Sequence, residues 1–123
     1  MERYRAAWRM SAHQVVLCTV PGQEEAERIA TVLVERGLAA CVNVLPGVLS
    51  VYRWEGKTQR EVERLMLIKT TKERFAALRS AIVELHPYDV PEVVAVPIEA
   101  GHAPYLSWIE ACCASSTPAS EQG

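Results

Sequence analysis

Residues 40–70, ACVNVLPGVLSVYRWEGKTQREVERLMLIKT, decide the fold. From Ala40 to Trp54 apolar side chains, most of them valine, alternate with other residues, the period-2 pattern of a strand. The alternation breaks at Pro46-Gly47, which predicts one long strand with a kink or bulge at that point. Glu55-Gly56-Lys57 turns the chain, and Val62 to Thr70 returns as a second strand. The centre of the chain is a β-hairpin.

Before the hairpin, Gln14 to Val20 is a short apolar strand stopped by Pro21-Gly22. Ala26, Ile29, Ala30 and Leu33 then fall at i, i+3, i+4 and i+7, which predicts an amphipathic helix. Glu24, Glu25 and Glu27 in its first turns and Arg36 in its last match the helix dipole, and Gly37 supplies the stop. After the hairpin, Thr70 and Glu73 have the spacing of a capping box. They predict a second helix with Phe75, Leu78, Ile82 and Leu85 as its buried stripe, ending before Pro87. Val93 to Ile98 reads as a fourth strand, and Tyr105, Trp108, Ile109 and Cys112 mark a last helix. The order β-α-β-β-α-β plus a terminal helix predicts an α+β, ferredoxin-like split βαβ sandwich, with both main helices on one face of an antiparallel sheet.

The other face of that sheet carries a second expectation. Leu65 to Ile68 and Val93 to Val96 are apolar on both sides, and such strands need cover on both faces. Leaving those side chains in water would forfeit about 1.5–3 kcal/mol each. One short helix cannot cover a whole sheet face, so self-association is expected.

At 123 residues the chain fits one domain, with 50% hydrophobic residues and a net charge of -2. Lys and Arg are scattered, which argues against a nucleic-acid surface. No apolar run approaches the ~20 residues of a membrane span. Met1 to Met10 lacks the apolar core of a signal peptide and reads with residues 11–13 as a flexible extension before a domain at 14–113. Residues 114–123 read as a disordered tail. Four cysteines without a Cys-x-x-Cys pair are expected to stay as thiols in the cytoplasm.

The loop from His86 to Glu92 is the best functional candidate. Pro87 and Pro91 stiffen it, and they hold His86, Tyr88, Asp89 and Glu92 close together against a strand. Several segments, in order, resemble the CutA divalent-cation tolerance proteins: Val16-Leu17-Cys18-Thr19, Leu38-Ala39-Ala40-Cys41-Val42-Asn43, Tyr52-Arg53-Trp54-Glu55-Gly56-Lys57, Ile68-Lys69-Thr70-Thr71, His86-Pro87-Tyr88-Asp89-Val90-Pro91-Glu92 and Tyr105-Leu106-Ser107-Trp108. The likeness runs from about residue 15 to 113. It implies a tight homotrimer with sheets extended across subunit boundaries, a cytoplasmic bacterial setting, and an association with copper and other divalent cations. It also implies two other possible roles: small-ligand sensing in the manner of the trimeric PII proteins, or anchoring of another protein.

Copper-binding relatives use a Cys and two adjacent His before Pro-Tyr. Cys18 and His86 match two of those positions, but Leu85 stands at the third and coordinates nothing. Glu92 could complete a site, or could instead pair with a neighbour such as Lys69. Cys18 could equally be a small buried hydrophobe, and His86 a helix-capping or interface residue. Cys41 reads as core, and Cys112 and Cys113 point to different helix faces. His13 and His102 read as solvated. Tyr52, Trp54, Lys69 and Tyr88, with Glu92, are expected to line a small-ligand cleft at a subunit boundary, with Trp108 a further candidate wall. No phosphate loop, His-Glu-x-x-His or nucleophile elbow is present, so a binding protein is expected rather than an enzyme.

Overall fold

The computed structural model describes residues 12–114. Of the extension expected over residues 1–13, residues 1–11 lie outside the described residues, while His13, expected to be solvated, opens the first strand and pairs with Glu110 at 2.7 Å; of the tail expected over 114–123, residues 115–123 lie outside the described residues. Strand β1 (His13–Val20) is followed by helix α1 (Gln23–Glu35), strands β2 (Cys41–Trp54) and β3 (Lys57–Thr71), helix α2 (Phe75–Leu85), strand β4 (Val94–Pro97) and helix α3 (Ala103–Cys112). The sheet order is β2-β3-β1-β4, with every pair antiparallel. This is the ferredoxin-like arrangement expected from the element order.

One face of the sheet makes the core. Val16, Cys18 and Val20 of β1 and Met66, Ile68 and Thr70 of β3 are buried. They pack with Ala26, Ile29 and Leu33 of α1 and Leu78, Ala81 and Ile82 of α2. Gly37 ends the first helix at φ +71°, a left-handed conformation that glycine adopts without a Cβ clash. A smaller cluster of Ala40, Ile109 and Cys113 seats α3 against the end of the sheet.

Three expectations change. Thr70 does not cap α2: it is the buried penultimate residue of β3, and its hydroxyl donates to the Leu38 carbonyl at 2.7 Å. A 3-10 turn over Lys72–Arg74 intervenes, and α2 starts at Phe75 with no side-chain cap. The chain stays extended because a buried hydroxyl needs a partner, and Leu38 supplies one. Next, β3 begins at Lys57 rather than Val62, directly after a two-residue turn in which Glu55 has φ 53° and Gly56 φ 79°. Two positive φ values make the tight hairpin turn whose twist suits the flanking strands. Finally, β4 is shorter than expected, four residues from Val94 to Pro97.

The expected break in β2 is a bulge. Leu45 pairs with Leu65 and Val48 with Glu63, so β2 spends one extra residue at Pro46-Gly47. Because side chains alternate with period 2, one extra residue moves all later side chains to the opposite face. Before the bulge the odd-numbered residues Cys41, Asn43 and Leu45 face away from the helices. After it the even-numbered Ser50, Tyr52 and Trp54 do.

Candidate functional site

That change of face builds a cleft. Beyond the reach of the helices, the hairpin presents Ser50, Tyr52 and Trp54 from β2 and Gln59, Glu61 and Glu63 from β3. Thr19 at the end of β1 and Tyr88, Asp89, Val90 and Glu92 from the loop after α2 close it, giving a cleft of about 790 Å³. Four of the lining side chains are carboxylic acids, and none is a lysine or arginine.

The loop is held by His86. Pro87 biases His86 out of the helix, and it caps α2 with extended backbone at ψ 140°. Its Nε2 lies 2.8 Å from the Thr19 carbonyl oxygen. Its Nδ1 lies 3.1 Å from the Tyr88 backbone nitrogen. A carbonyl only accepts and an amide N–H only donates, so Nε2 carries the proton and Nδ1 accepts. The buried ring is neutral, with both nitrogens in use. It ties the end of β1 to the loop and sets the Tyr88 ring 4.7 Å from its own.

Tyr88 reaches from there across the sheet. Its hydroxyl donates to Glu63 Oε2 at 2.6 Å, while the Ser50 hydroxyl donates to Glu63 Oε1 at 2.5 Å. Glu63 is 4% exposed, and both of its oxygens accept from hydroxyls, the arrangement of an ionised carboxylate. Burial, and then the hydrogen bond to Glu63, raise the Tyr88 phenol above its usual range. Tyr52 shifts in the same direction, from desolvation and then its bond to Glu61.

Cys18, His86 and Glu92 do converge, all three on Thr19. The Cys18 thiol lies 3.8 Å from the Thr19 carbonyl that His86 also engages, and the Thr19 hydroxyl donates to Glu92 at 3.4 Å. They do not form an open donor set. Cys18 is fully buried in the core on the helix side, and burial, then the charges of Glu92 and Glu63, push its thiol from 9.0 up to about 12. Metal ligation needs the thiolate and a free imidazole lone pair. Here the thiol is shut into the core and the imidazole lone pair is spent on Tyr88. Leu85, at the third position, packs against the core. Among the described residues no group of three His, Cys, Asp or Glu side chains is placed to hold a metal ion. As arranged, these residues do not fit a resident copper ion.

Two expected cleft residues lie elsewhere. Lys69 sits opposite Cys41, near the other end of β3, and its amine donates to Asn43 Oδ1 rather than pairing with Glu92. Trp108 stands on α3 beside Tyr105, ring centroids 5.5 Å apart, outside the cleft. Glu63, Glu61 and Ser50 were missed. They lie in a charged stretch that reads as an ordinary solvated strand, and only their register opposite β2 reveals them.

A family model described as CutA1 divalent ion tolerance protein matches residues 14–112. The chain belongs to this family. The divalent-cation tolerance protein CutA of Thermus thermophilus is 51% identical over 96 residues, covering 78% of this chain and 93% of that protein. Protein CutA 1, chloroplastic, of Oryza sativa is 47% identical over 96 residues, again 78% of this chain but 54% of its own length. The crystal structure of CutA1 from Oryza sativa superposes with a TM-score of 0.83 at 44% identity, covering 85% of this chain and 96% of that one. The chain thus spans nearly all of its bacterial CutA relative and about half of the curated plant one.

Proposed function

We propose that this protein serves divalent-cation tolerance as a homotrimer, and that cations, copper among them, gather at the cleft. The observation that carries this reading is the cleft lining, four carboxylic acids with no lysine or arginine. Such a cleft concentrates cations by its field before any one ligand set closes around them. Glu92, exposed at the rim, is the proposed oxygen donor, with a neighbouring subunit or water completing the coordination. Copper is favoured over other first-row divalent ions at most nitrogen and oxygen sites, though carboxylates alone make a weak one. His86 positions the cleft loop through Thr19 and Tyr88, and Cys18 packs in the core. The buried Cys18 thiol lies against the Thr19 carbonyl, which His86 engages separately, and this supports binding rather than catalysis.

The trimer rests on uncovered apolar surface. Trp54 and Val62 on the hairpin are 52% and 62% exposed, and Val94 and Val96 on β4 are also exposed. A reducing compartment, the cytoplasm, suits four cysteines that are all free. No helix among the described residues is long and apolar enough to cross a membrane.

Copper titration by calorimetry tests the reading. Glu92→Gln should weaken binding about tenfold, whereas Cys18→Ser should leave it unchanged. Equal affinity in the parent and Glu92→Gln would end the cleft assignment. Loss on Cys18→Ser alone would return the metal to β1. A sensing role is the second reading, favoured by the aromatic walls of the cleft.

A further inference from the structure

His86 is 7% exposed, and both of its bonds run to backbone: Nε2 to the Thr19 carbonyl at 2.8 Å and Nδ1 to the Tyr88 amide at 3.1 Å. Both bonds are internal to the chain and the ring is already buried in it, so the arrangement does not wait on assembly. The two nitrogens have opposite roles. Nε2–H donates, and Nδ1 accepts with its lone pair. A second proton would leave the first bond intact and abolish the second, because a donor would then face the Tyr88 N–H.

That one bond controls the turn. Tyr88 follows Pro87 directly, its ring centroid lies 4.7 Å from that of the imidazole, and its hydroxyl holds Glu63. At the other end of the loop, Glu92 accepts from the Thr19 hydroxyl at 3.4 Å. The titratable and charged groups that reach these surroundings are Cys18 on β1, Arg28 on α1, Glu63 on β3, and Tyr88 and Glu92 in the loop. None of their side chains bonds to the ring. Cys18 lies against the Thr19 carbonyl, Arg28 donates to the Leu85 carbonyl at 3.3 Å, and Glu63 accepts from Ser50 and Tyr88.

We propose that His86 is a proton-operated latch on the loop from His86 to Glu92, closed with one ring proton and open with two. The stability it supplies is present while the ring is neutral and is lost as the pH falls, the direction of a buried neutral histidine that must charge. This goes beyond the divalent-cation reading and holds whether or not a cation binds.

Nuclear magnetic resonance of the full chain between pH 8 and 5 tests this. Ordinary imidazoles titrate in that range, at about 6.5, and ordinary carboxylates, at about 4, do not. Ring nitrogen shifts should show one proton, on Nε2, at pH 8 and two at pH 5. In step with the second proton, exchange protection of the Tyr88 amide should fall about tenfold, the worth of one hydrogen bond. The side-chain amide of His86→Gln can donate to Thr19 and accept from Tyr88 but takes up no proton, so protection in that variant should stay flat. Tyr88→Phe removes the bond to Glu63 and keeps the backbone amide, so the amide at position 88 should still respond. A ring that stays singly protonated down to pH 5 overturns the proposal, and so does a doubly protonated ring beside a protected amide. An equal fall in His86→Gln, or no response in Tyr88→Phe, overturns it too by assigning the effect to Glu63. If His86→Gln fails to fold, the ring and amide signals of the parent decide alone.

Discussion

Cys18 shows how burial redirects a reactive side chain. Among the core residues of β1 its thiol is held up to about 12 against an ordinary 9.0, first by desolvation and then by Glu92 and Glu63. The folded chain keeps this proton where the unfolded chain has lost it. The associated stability is therefore complete below about pH 9 and declines as the pH rises toward 12. Denaturant titrations across that range should show the decline in the parent and a shallower one in Cys18→Ala. A disulfide-forming thiol reagent at neutral pH should leave Cys18 unmodified until the chain unfolds. His86 does structural work of a different kind. His86→Ala strips the Thr19 carbonyl and the Tyr88 amide of their partner, and should cost about 1–3 kcal/mol in urea unfolding. An unchanged midpoint would mean that water replaces the ring without penalty.

The bulge in β2 is the element that sets the cleft. Pro46 has no N–H for the ladder, and Gly47 takes φ +71°, so together they absorb one residue without breaking the strand pair. From that point Ser50, Tyr52 and Trp54 share a face with Glu61 and Glu63, and Leu49 and Val51 turn to the other. Deleting Gly47 should restore simple alternation, turn Ser50, Tyr52 and Trp54 to the helix side of the sheet and abolish cation binding at the cleft. Circular dichroism should meanwhile report the same helix content, because the helices pack on the sheet before the bulge. A deletion variant that binds as the parent does would show that the strand finds its face by another route. The turn at Glu55-Gly56 matters at the same scale, since it pairs Trp54 with Lys57 and locks the register that the bulge has shifted.

At the scale of the molecule, the helices protect one sheet face and part of the hairpin's length. Leu49, Val51 and Val62 lie beyond them and are exposed, and Val94 and Val96 are exposed on the opposite face of β4. The proposed trimer would cover them with other copies of the chain, and the outer edges of β2 and β4 have no strand partner within the described fold. Sedimentation equilibrium should return three chains. Unfolding should then couple to dissociation, with a midpoint that rises with protein concentration once equilibration is verified. A folded species of one chain's mass at micromolar concentration would leave the apolar hairpin unexplained.

Local pattern was enough for the elements and their order, because alternation, helical spacing and Pro-Gly punctuation each act over a few neighbouring residues. The hairpin, the kink at Pro46-Gly47 and the stiff loop after α2 were all legible in this way, whereas the grouping of Cys18, His86 and Glu92 came only from the family resemblance. What those residues do once together was decided by the fold. Burial keeps the Cys18 thiol protonated, and two backbone groups claim both nitrogens of His86, while Thr70 gives its hydroxyl to Leu38 instead of to a helix. Glu63 is the clearest case. As sequence it is one more charge in a polar strand. Only the register of β3 against a bulged β2, and the reach of Tyr88 across the sheet, turn it into a buried carboxyl held by two hydroxyls. Long-range pairing sets solvent access and hydrogen-bond partners, and those two quantities, more than residue type, determine the chemistry of a side chain.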